Sequence, residues 1–591
     1  MDRRDFIAGT VGAAAAAMAT PLAASPRGED EATLAVVTDA ADREAAAILS
    51  GSPRPGFGAR AVLRQMRLLL TPFVWPRSAH YHKAELAGPI EQLLAKVEAA
   101  QHDDGTFSSG NRHSPPDTSF LIADMAAMIA VLRNDRHPSS APIASRLAAM
   151  MRKAGPALLT GGIHTPNHRW ELCAALARID RVDPRPAYRD RIDDWLGEGI
   201  DIDSDGNYSE RSPNYAGEVS NPSLLALARL PGLSGLRDLV RRNLETTIVL
   251  AEPGSGDVET ILSRRQDQDQ RRQTLHTYYL QFRELALADG NGRFAGVTRW
   301  IERHEGASLG ETLGDFLERP ELMRPLPPER NPFTDVSRLF APVGLVRQRR
   351  GPMTASFYAG SDWYADGKPS PFYNRIGSGL ATNPTLARLW KGGLALDAVR
   401  LIPDFFNMGH FRPATIAMDP DGTVRMAGEM QVPYYLPLPR DRRRADGAYP
   451  MTASVDRRFN SALDFDHRPA SFRRLGIRIA ATPEPTGYHL LFETDGEQDV
   501  DMTIELTLRD GGVLEGARQL PDGGFQLVEG HATYQLGRDR LTIGPGNGAG
   551  QVKAGPGENY AWVGGRLQLP GTRLYITGRT PFRYELRLAF A

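Results

Sequence analysis

Three polar stretches of this 591-residue chain hold side chains that can handle a proton beside an anion. The first is Thr165-Pro166-Asn167-His168-Arg169. The second is Asp205-Gly206-Asn207-Tyr208-Ser209-Glu210-Arg211-Ser212-Pro213-Asn214-Tyr215, and the third contains Arg264 and Arg265. Asn167 and His168 are neutral or weakly cationic donors, Tyr208 and Tyr215 are phenols, and Arg211, Arg264 and Arg265 are permanent cations. Such a set suits abstraction of the proton next to a carboxylate, as in a uronic acid. That proton is a very weak acid until donors neutralise the carboxylate and stabilise the developing enolate. An imidazole or a phenol can then remove it, and a phenol can protonate a departing glycosidic oxygen. A phenol with its ordinary pKa of about 10 needs a neighbouring guanidinium to favour the phenolate. Arg211, four residues before Tyr215, and the Arg264-Arg265 pair are the available sources.

Plainer roles stand beside these. Asn167 could cap the helix that follows it, His168 could be a structural hydrogen-bonder, and Tyr208 could pack under its Asp-Gly turn. Glu210 reads as a scaffold residue bonding loop amides or Arg211. The run 264–272 could be a solvated helix in which Arg265 pairs with Asp269 and Asp267 with Arg271. His113 and Asp117 are further candidates from an earlier polar loop. Cys173 is the single cysteine and reads as a small core residue, so no intramolecular disulfide can form.

These loops need a scaffold, and the periodicity supplies one. Leu172, Cys173, Leu176 and Ile179 recur at the spacing of a buried helix face, which places Asn167, His168 and Arg169 at a helix N-terminus, where amides and dipole favour a bound carboxylate or sulfate. Asn221 and Pro222 read as N-cap and first residue of another helix. Further helices are predicted over 89–101, 119–132, 142–153, 170–179, 188–197, 236–251 and 274–288. Asp103-Asp104-Gly105-Thr106-Phe107 and Asp203-Ser204-Asp205-Gly206-Asn207-Tyr208 repeat a turn with an aromatic two residues after the glycine. Polar loops recur about every 50 residues, as stacked helical hairpins would require. The expected fold is an N-terminal (α/α) toroid, an incomplete barrel of helical hairpins with alternate loops gathered at one end, or else an open helical array.

Past about residue 332 the pattern becomes alternating. Val500 to Leu508, Ile477 and Ile479, 488–492, 541–543, 574–576 and 584–588 read as strands, with turns at Asp510-Gly511-Gly512, Pro521-Asp522-Gly523-Gly524 and Pro570-Gly571. This predicts a C-terminal antiparallel β-sandwich. A polar, aromatic segment over 364–413 is expected to reach back over the helices, with Tyr373, Asn374, Arg375, His410 and Arg412 as candidates. The expected division is 1–25 as a leader, a linker near 25–33, 33–330 as the helical catalytic domain and 331–591 as the sandwich.

A formal net charge of −1 and 41% hydrophobic residues suit two sizeable cores and give no basic field for nucleic acid. Arg3 and Arg4, followed by an Ala-rich run ending near residues 23–25, look like a twin-arginine export signal, so a periplasmic or secreted product is expected. No other stretch reads as a membrane span, and no membrane insertion is expected. No tight His and carboxylate cluster marks a metal, and no cofactor is expected.

The Asn167-His168 corner followed by the 205–215 motif resembles the heparinase II/III-like polysaccharide lyases and their alginate lyase relatives. The resemblance implies a toroid plus β-sandwich and β-elimination on a uronate-containing polysaccharide or oligosaccharide. It implies that Asn167 and His168 neutralise the uronate carboxylate and that Tyr215 is the catalytic phenol, with Arg211 or Arg265 as a fourth member. It also implies a further His and Tyr from the β-domain, for which His410 and Tyr373 are candidates. Arg169, Tyr208, Glu210, Arg264, Arg265, Tyr373 and Arg375 are the expected substrate-binding residues. Two other readings stay open: a glycoside hydrolase using two of Asp117, Glu210, Glu218 and Asp267, and a non-catalytic glycan-binding protein.

Overall fold

The structure, a computed structural model, describes residues 28–51, 58–265, 267, 272–362, 381–406, 408–455, 460–553 and 569–591. Eleven helices are named here: α1 Glu31–Leu49, α2 Gly58–Val74, α3 Ala84–Ala100, α4 Pro115–Leu132, α5 Ser140–Thr160, α6 Asn167–Ile179, α7 Pro186–Leu196, α8 Asn221–Leu227, α9 Leu236–Leu250, α10 Tyr279–Asp289 and α11 Gly292–Glu305. α1 starts inside the expected linker, at the Asp30 cap, whose carboxylate accepts from the Thr33 amide. α4 starts where Ser114 accepts from the Asp117 amide, with Pro115 at the first helical position. The 274–288 prediction resolves into a 3-10 turn, Leu275–Tyr278, followed by α10.

Successive helices run up and down, so alternate connections meet at one end. Asn111 of the α3–α4 loop approaches His164 of the α5–α6 loop at 3.3 Å, and Arg169 at the start of α6 reaches Asp201 of the α7–α8 loop at 3.1 Å. The ring is tied together where the first helix meets the last two. Asp30 accepts from Arg283 of α10 at 3.2 Å and Arg299 of α11 at 2.7 Å, and Thr33 donates to Glu302 at 2.8 Å. The fold is therefore an (α/α) toroid rather than an open array. α4 is long and apolar enough by composition to cross a membrane, unlike the expectation for that stretch; 67% of its apolar window is buried within the ring.

The two Asp-Gly turns are the same local device. Gly105 (φ +87°) and Gly206 (φ +92°) need the left-handed region, and a Cβ on either would overlap a backbone carbonyl of the helix after next, at Lys153 of α5 or Arg242 of α9. The aromatic that follows each turn, Phe107 or Tyr208, is buried beneath it.

The C-terminal part is a sandwich of a nine-stranded sheet and an eight-stranded sheet. The first runs from β1 (Val336–Phe340), β2 (Leu345–Arg350) and β3 (Met353–Tyr358) through β4 (Ala387–Lys391) and β5 (Leu394–Pro403) to the strand Asp501–Leu508. Its pairings are antiparallel except Phe525–Gln526 beside Thr572–Arg579. The strands predicted around 477–479, 488–492, 500–508, 541–543, 574–576 and 584–588 are present, with Val500 lying just before its strand.

β2, with sequence LVRQRR, carries no alternating apolar pattern, yet it is buried on both faces. Val346 points into the sandwich core, whereas Leu345 joins the helical core. Arg347 and Arg349 on that second face cap the C-terminal end of α9. Arg349 donates to the carbonyls of Ile248 (2.9 Å), Val249 (3.1 Å) and Ala251 (2.7 Å), and Arg347 to those of Val249 and Leu250 (both 3.3 Å) and to the Glu252 carboxylate. These carbonyls lack helical partners, and the dipole there favours cations. Arg388 on β4 binds Glu259 at 2.8 Å, and Arg509 binds Asp257 at 2.8 Å. The sandwich thus grips the segment that leads to Arg264 and Arg265.

Candidate active site

Asn167 and His168 open α6 and are both buried. Asn167 is not the cap, because Pro166 occupies that position; its amide nitrogen instead donates to the Glu210 carboxylate. The other Glu210 oxygen accepts from Arg265 at 3.0 Å, and the second amino group of Arg265 donates to the Tyr215 hydroxyl at 3.1 Å. The guanidinium carbon lies 4.3 Å from the centre of the Tyr215 ring. One chain of hydrogen bonds, Asn167–Glu210–Arg265–Tyr215, therefore joins all three polar stretches. Asn167 keeps its carbonyl oxygen, and His168 its Nδ1, buried without a hydrogen-bond partner among the described residues.

Local structure sets these directions. Tyr215 ends a single helical turn, Pro213–Tyr215, whose Ser212 hydroxyl accepts from the Tyr215 amide at 3.0 Å. Asp267 is buried and accepts from Ser212 (2.7 Å), Ser263 and the Asn214 amide (3.3 Å), clamping the Tyr215 turn to the Arg265 turn. The 264–272 stretch is thus no solvated helix at its start: Thr260–Ser263 close a turn and Arg264 and Arg265 follow it as a bend, while Asp269 and Arg271 lie outside the described residues. A π-helical segment, Ala216–Ser220, leads directly into α8, so Asn221 is already helical and does not cap it. Its side chain accepts from the Tyr208 hydroxyl at 2.8 Å and donates to Asn243 at 2.8 Å.

Several expected residues are engaged elsewhere. Tyr208 packs under its turn, as the plainer reading had it, and does not reach the cluster. Arg211, in a left-handed conformation (φ +51°), points its guanidinium at the Gly360 carbonyl (3.0 Å) rather than at Tyr215. Arg264 forms a bidentate pair with Asp362 (2.8 and 3.0 Å) and ties the helical ring to the β3–β4 connection. Arg169 lies over Trp170 and is held by Glu198 (3.2 Å) and Asp201 (3.1 Å). His113 stacks on His102 and pairs with Asp104 at 3.0 Å, and Asp117 accepts from Asn111 at 2.9 Å. His410 is buried in the connection after β5, where its backbone carbonyl accepts from Arg412 at 3.3 Å. Tyr373, Asn374 and Arg375 lie outside the described residues. Among the described residues no group of three or more His, Cys, Asp or Glu is placed to hold a metal ion.

Burial displaces the ionisation of His168 and of Glu210. Burial, with His164, Arg265 and Arg60 adding repulsion, pushes His168 down to about 3, so the imidazole is neutral and only weakly basic. His164 meets it edge-on at 4.7 Å, as does Phe120 at 5.8 Å. Burial pushes Glu210 up to about 7 against the opposing pull of Arg265 and Asn167. Its bound proton stabilises the fold fully below about pH 4.5, and that contribution is lost as pH rises through about 7. Between those limits wild type is expected to lose on the order of 3 kcal/mol of unfolding free energy relative to Glu210→Gln. Paired denaturant titrations at pH 4.5 and 8 check this; a difference that does not change with pH would mean that the carboxyl titrates normally.

The sequence matches no family model and no curated protein. Solved structures do match. Heparinase III aligns over 97% of this chain and 85% of that one, at TM-score 0.53 and 11% identity. The chain has the heparinase III fold. Streptomyces coelicolor chondroitin AC lyase, solved with chondroitin sulphate, aligns over 97% of this chain and 80% of that one at TM-score 0.49 and 14% identity. Another chondroitinase AC lyase aligns over 94% and 83% at TM-score 0.43 and 9% identity. At these identities the likeness concerns architecture, and the side chains of the cluster must be argued from their own geometry.

The sequence marks the two corners but not the residues that hold them in place. By sequence Asp267 reads only as a hydrolytic carboxylate or as half of a helix pair. A signal for Asp267 existed: an acid flanked by Arg on a loop that also carries Ser263 can clamp hydroxyls. Asp362, about 100 residues from Arg264, has no local signal.

Proposed function

We propose that this protein is an exported lyase that cleaves a uronate-containing polysaccharide by β-elimination. The observation that carries the reading is the bonded array Asn167–Glu210–Arg265–Tyr215 at the N-terminus of α6. A uronate carboxylate laid against Asn167 and Arg265 at the start of α6 would be neutralised by hydrogen bonds and by the helix dipole, which acidifies the neighbouring C5 proton. Neutral His168 contributes a hydrogen bond rather than charge, and its weak basicity leaves the proton transfer to Tyr215. Arg265 steadies negative charge on the phenol oxygen. The phenolate takes the C5 proton, the C5 electron pair forms the C4–C5 double bond, and the C4–O bond breaks. The same phenol then returns its proton to the departing oxygen.

A hydrolytic reading loses two of its four carboxylates, since Glu210 is committed to Asn167 and Arg265 and Asp267 to two serines. Export rests on the Arg3-Arg4 leader alone and predicts a processed protein in the periplasmic or secreted fraction. The chemistry is tested on a panel of uronate glycans. Chain cleavage should come with the ultraviolet absorbance of an unsaturated uronate end, and cleavage into saturated products would reject elimination.

A further inference from the structure

The two longest strands of the eight-stranded sheet, Val424–Tyr435 and Ala470–Glu484, pair as a hairpin with Tyr435 opposite Ala470. A hairpin turn needs only about 2–5 residues, whereas residues 436–469 lie between these strands, with a two-stranded ladder of their own at Thr452–Ala453 and Asn460–Ser461. The hairpin also outruns the sheet that covers it. Val432 still packs on the sandwich core, but Tyr434, next on the same face, is 51% exposed. Its ring meets Phe406 edge-on, with centroids 6.0 Å apart, and Phe406 is itself 44% exposed. Phe406 follows β5 in a left-handed conformation (φ +51°), which is strained for a bulky side chain, and such strain collects at ligand-binding sites.

Six of the eight large hydrophobic side chains that are exposed among the described residues stand at this end of the sandwich: Phe406, Tyr434, Leu436, Met451, Val455 and Leu463. Apolar side chains scattered singly over a surface are ordinary, but a concentration of this kind marks a binding surface. It is also cationic. The described residues of 436–474 hold seven arginines against four aspartates, in a chain whose formal net charge is −1. Arg440 and Arg443 are exposed and Arg468 is half-buried, and among the described residues none of the three has a carboxylate partner. Arg443 donates to the Leu438 carbonyl at 2.8 Å, and Arg468 to those of Leu463 and Leu436 at 2.8 and 3.2 Å, so their charges stay uncompensated.

The catalytic cluster lies at the same end. β3 leaves its sheet toward Asp362, the partner of Arg264; β4 runs away from that end, and β5 returns to it and leads into Phe406. The Ala381 amide donates to Asp362 at 2.9 Å, and Arg412, just beyond Phe406, donates to the Thr382 carbonyl at 2.8 Å. β3 and β5 are two strand spacings apart, roughly 10 Å, which an oligosaccharide spans. An exposed aromatic face packs on the C–H face of a pyranose, and guanidinium groups meet carboxylates or sulfates. An acidic glycan offers both. We propose that Phe406, Tyr434 and the arginines of 436–474 form a second binding site for the acidic glycan, which holds the chain at a distance from the bond that is cleaved. The inference rests on the lyase reading above, and it makes long chains better substrates than short ones.

The test measures kcat/KM per cleavable bond on a uronate polymer and on its tetrasaccharide. Wild type should favour the polymer by at least tenfold. Phe406→Ala combined with Tyr434→Ala should cut that preference at least fivefold, and Arg440→Gln combined with Arg443→Gln should cut it less and weaken its dependence on salt. The folded fraction cancels in each ratio, so a variant that folds poorly still reports. Equal wild-type rates per bond, or a preference untouched by both double variants, would overturn the proposal with elimination intact. A concentration-dependent dimer that the aromatic double variant abolishes while the preference stays would show that the surface pairs two copies of the chain, and would overturn it as well. Absence of unsaturated product from every polymer would instead overturn the lyase reading and this inference with it.

Discussion

Replacing Tyr215 by phenylalanine is expected to lower kcat for elimination by about 10³-fold or more while changing glycan affinity less than about threefold, since one phenol serves as both base and acid and such groups contribute 10²–10⁴-fold each. The substitution removes a single oxygen. Arg265 keeps Glu210, the Ser212 cap of the turn does not involve the ring, and the fold should stand. Binding is measured separately by calorimetry, because KM mixes affinity with turnover. Arg265→Lys is the informative companion. A lysine keeps the charge but cannot reach Glu210 and the phenol together as the planar fork does, so its kcat should fall by a smaller factor. If Tyr215→Phe retained a tenth or more of wild-type kcat, proton transfer would belong to another residue.

The second large effect lies far from the chemistry. Arg347→Ala should destabilise the protein by about 3–5 kcal/mol, because it leaves the buried Glu252 carboxylate without its cation and the last carbonyls of α9 without a donor. Thr354 still donates to Glu252, so the carboxylate is not wholly abandoned. Replacing both partners together, Arg347→Met with Glu252→Leu, should recover most of the loss, since removing a buried pair costs far less than breaking one. The first variant should also lose activity at temperatures where it is still folded, because the 252–265 segment that α9 and β2 hold in place carries Arg265. Thermal melts and kcat for the two variants check both statements; an Arg347→Ala protein as stable as wild type would show that the contact between ring and sandwich is held elsewhere.

Much of the scaffold was legible. The 3.6-residue period of 119–132 and 170–179 and the alternation of 500–508 are properties of a few consecutive residues, and they survive because each element buries one side whatever its neighbours are. Boundaries were less so. The residues before Ser119 are polar or proline, and only the Ser114 cap reveals that α4 begins earlier, at Pro115. Asn221 shows the opposite failure. It looked like a cap because Asn-Pro usually starts a helix, but the π-helical segment before it already supplies the turn and frees its side chain for Tyr208 and Asn243. β2 was unreadable because three arginines in six residues look solvated, and nothing local says that a helix end some 100 residues earlier will cover two of them.

The sequence by itself determined the kind of fold, the two Asp-Gly turns and the two corners, Thr-Pro-Asn-His-Arg and Ser-Pro-Asn-Tyr, that hold the candidate groups. Tertiary structure alone decided which arginine serves them. Arg211, Arg264 and Arg265 are equivalent as letters, but Arg211 turns to the Gly360 carbonyl, Arg264 to Asp362 and Arg265 to Tyr215. Side-chain direction in a turn depends on backbone dihedrals and on partners distant in sequence, here Asp267 beneath the turn and the β3–β4 connection above it. Burial, which makes His168 neutral and raises Glu210, likewise comes from atoms that only the folded chain brings near.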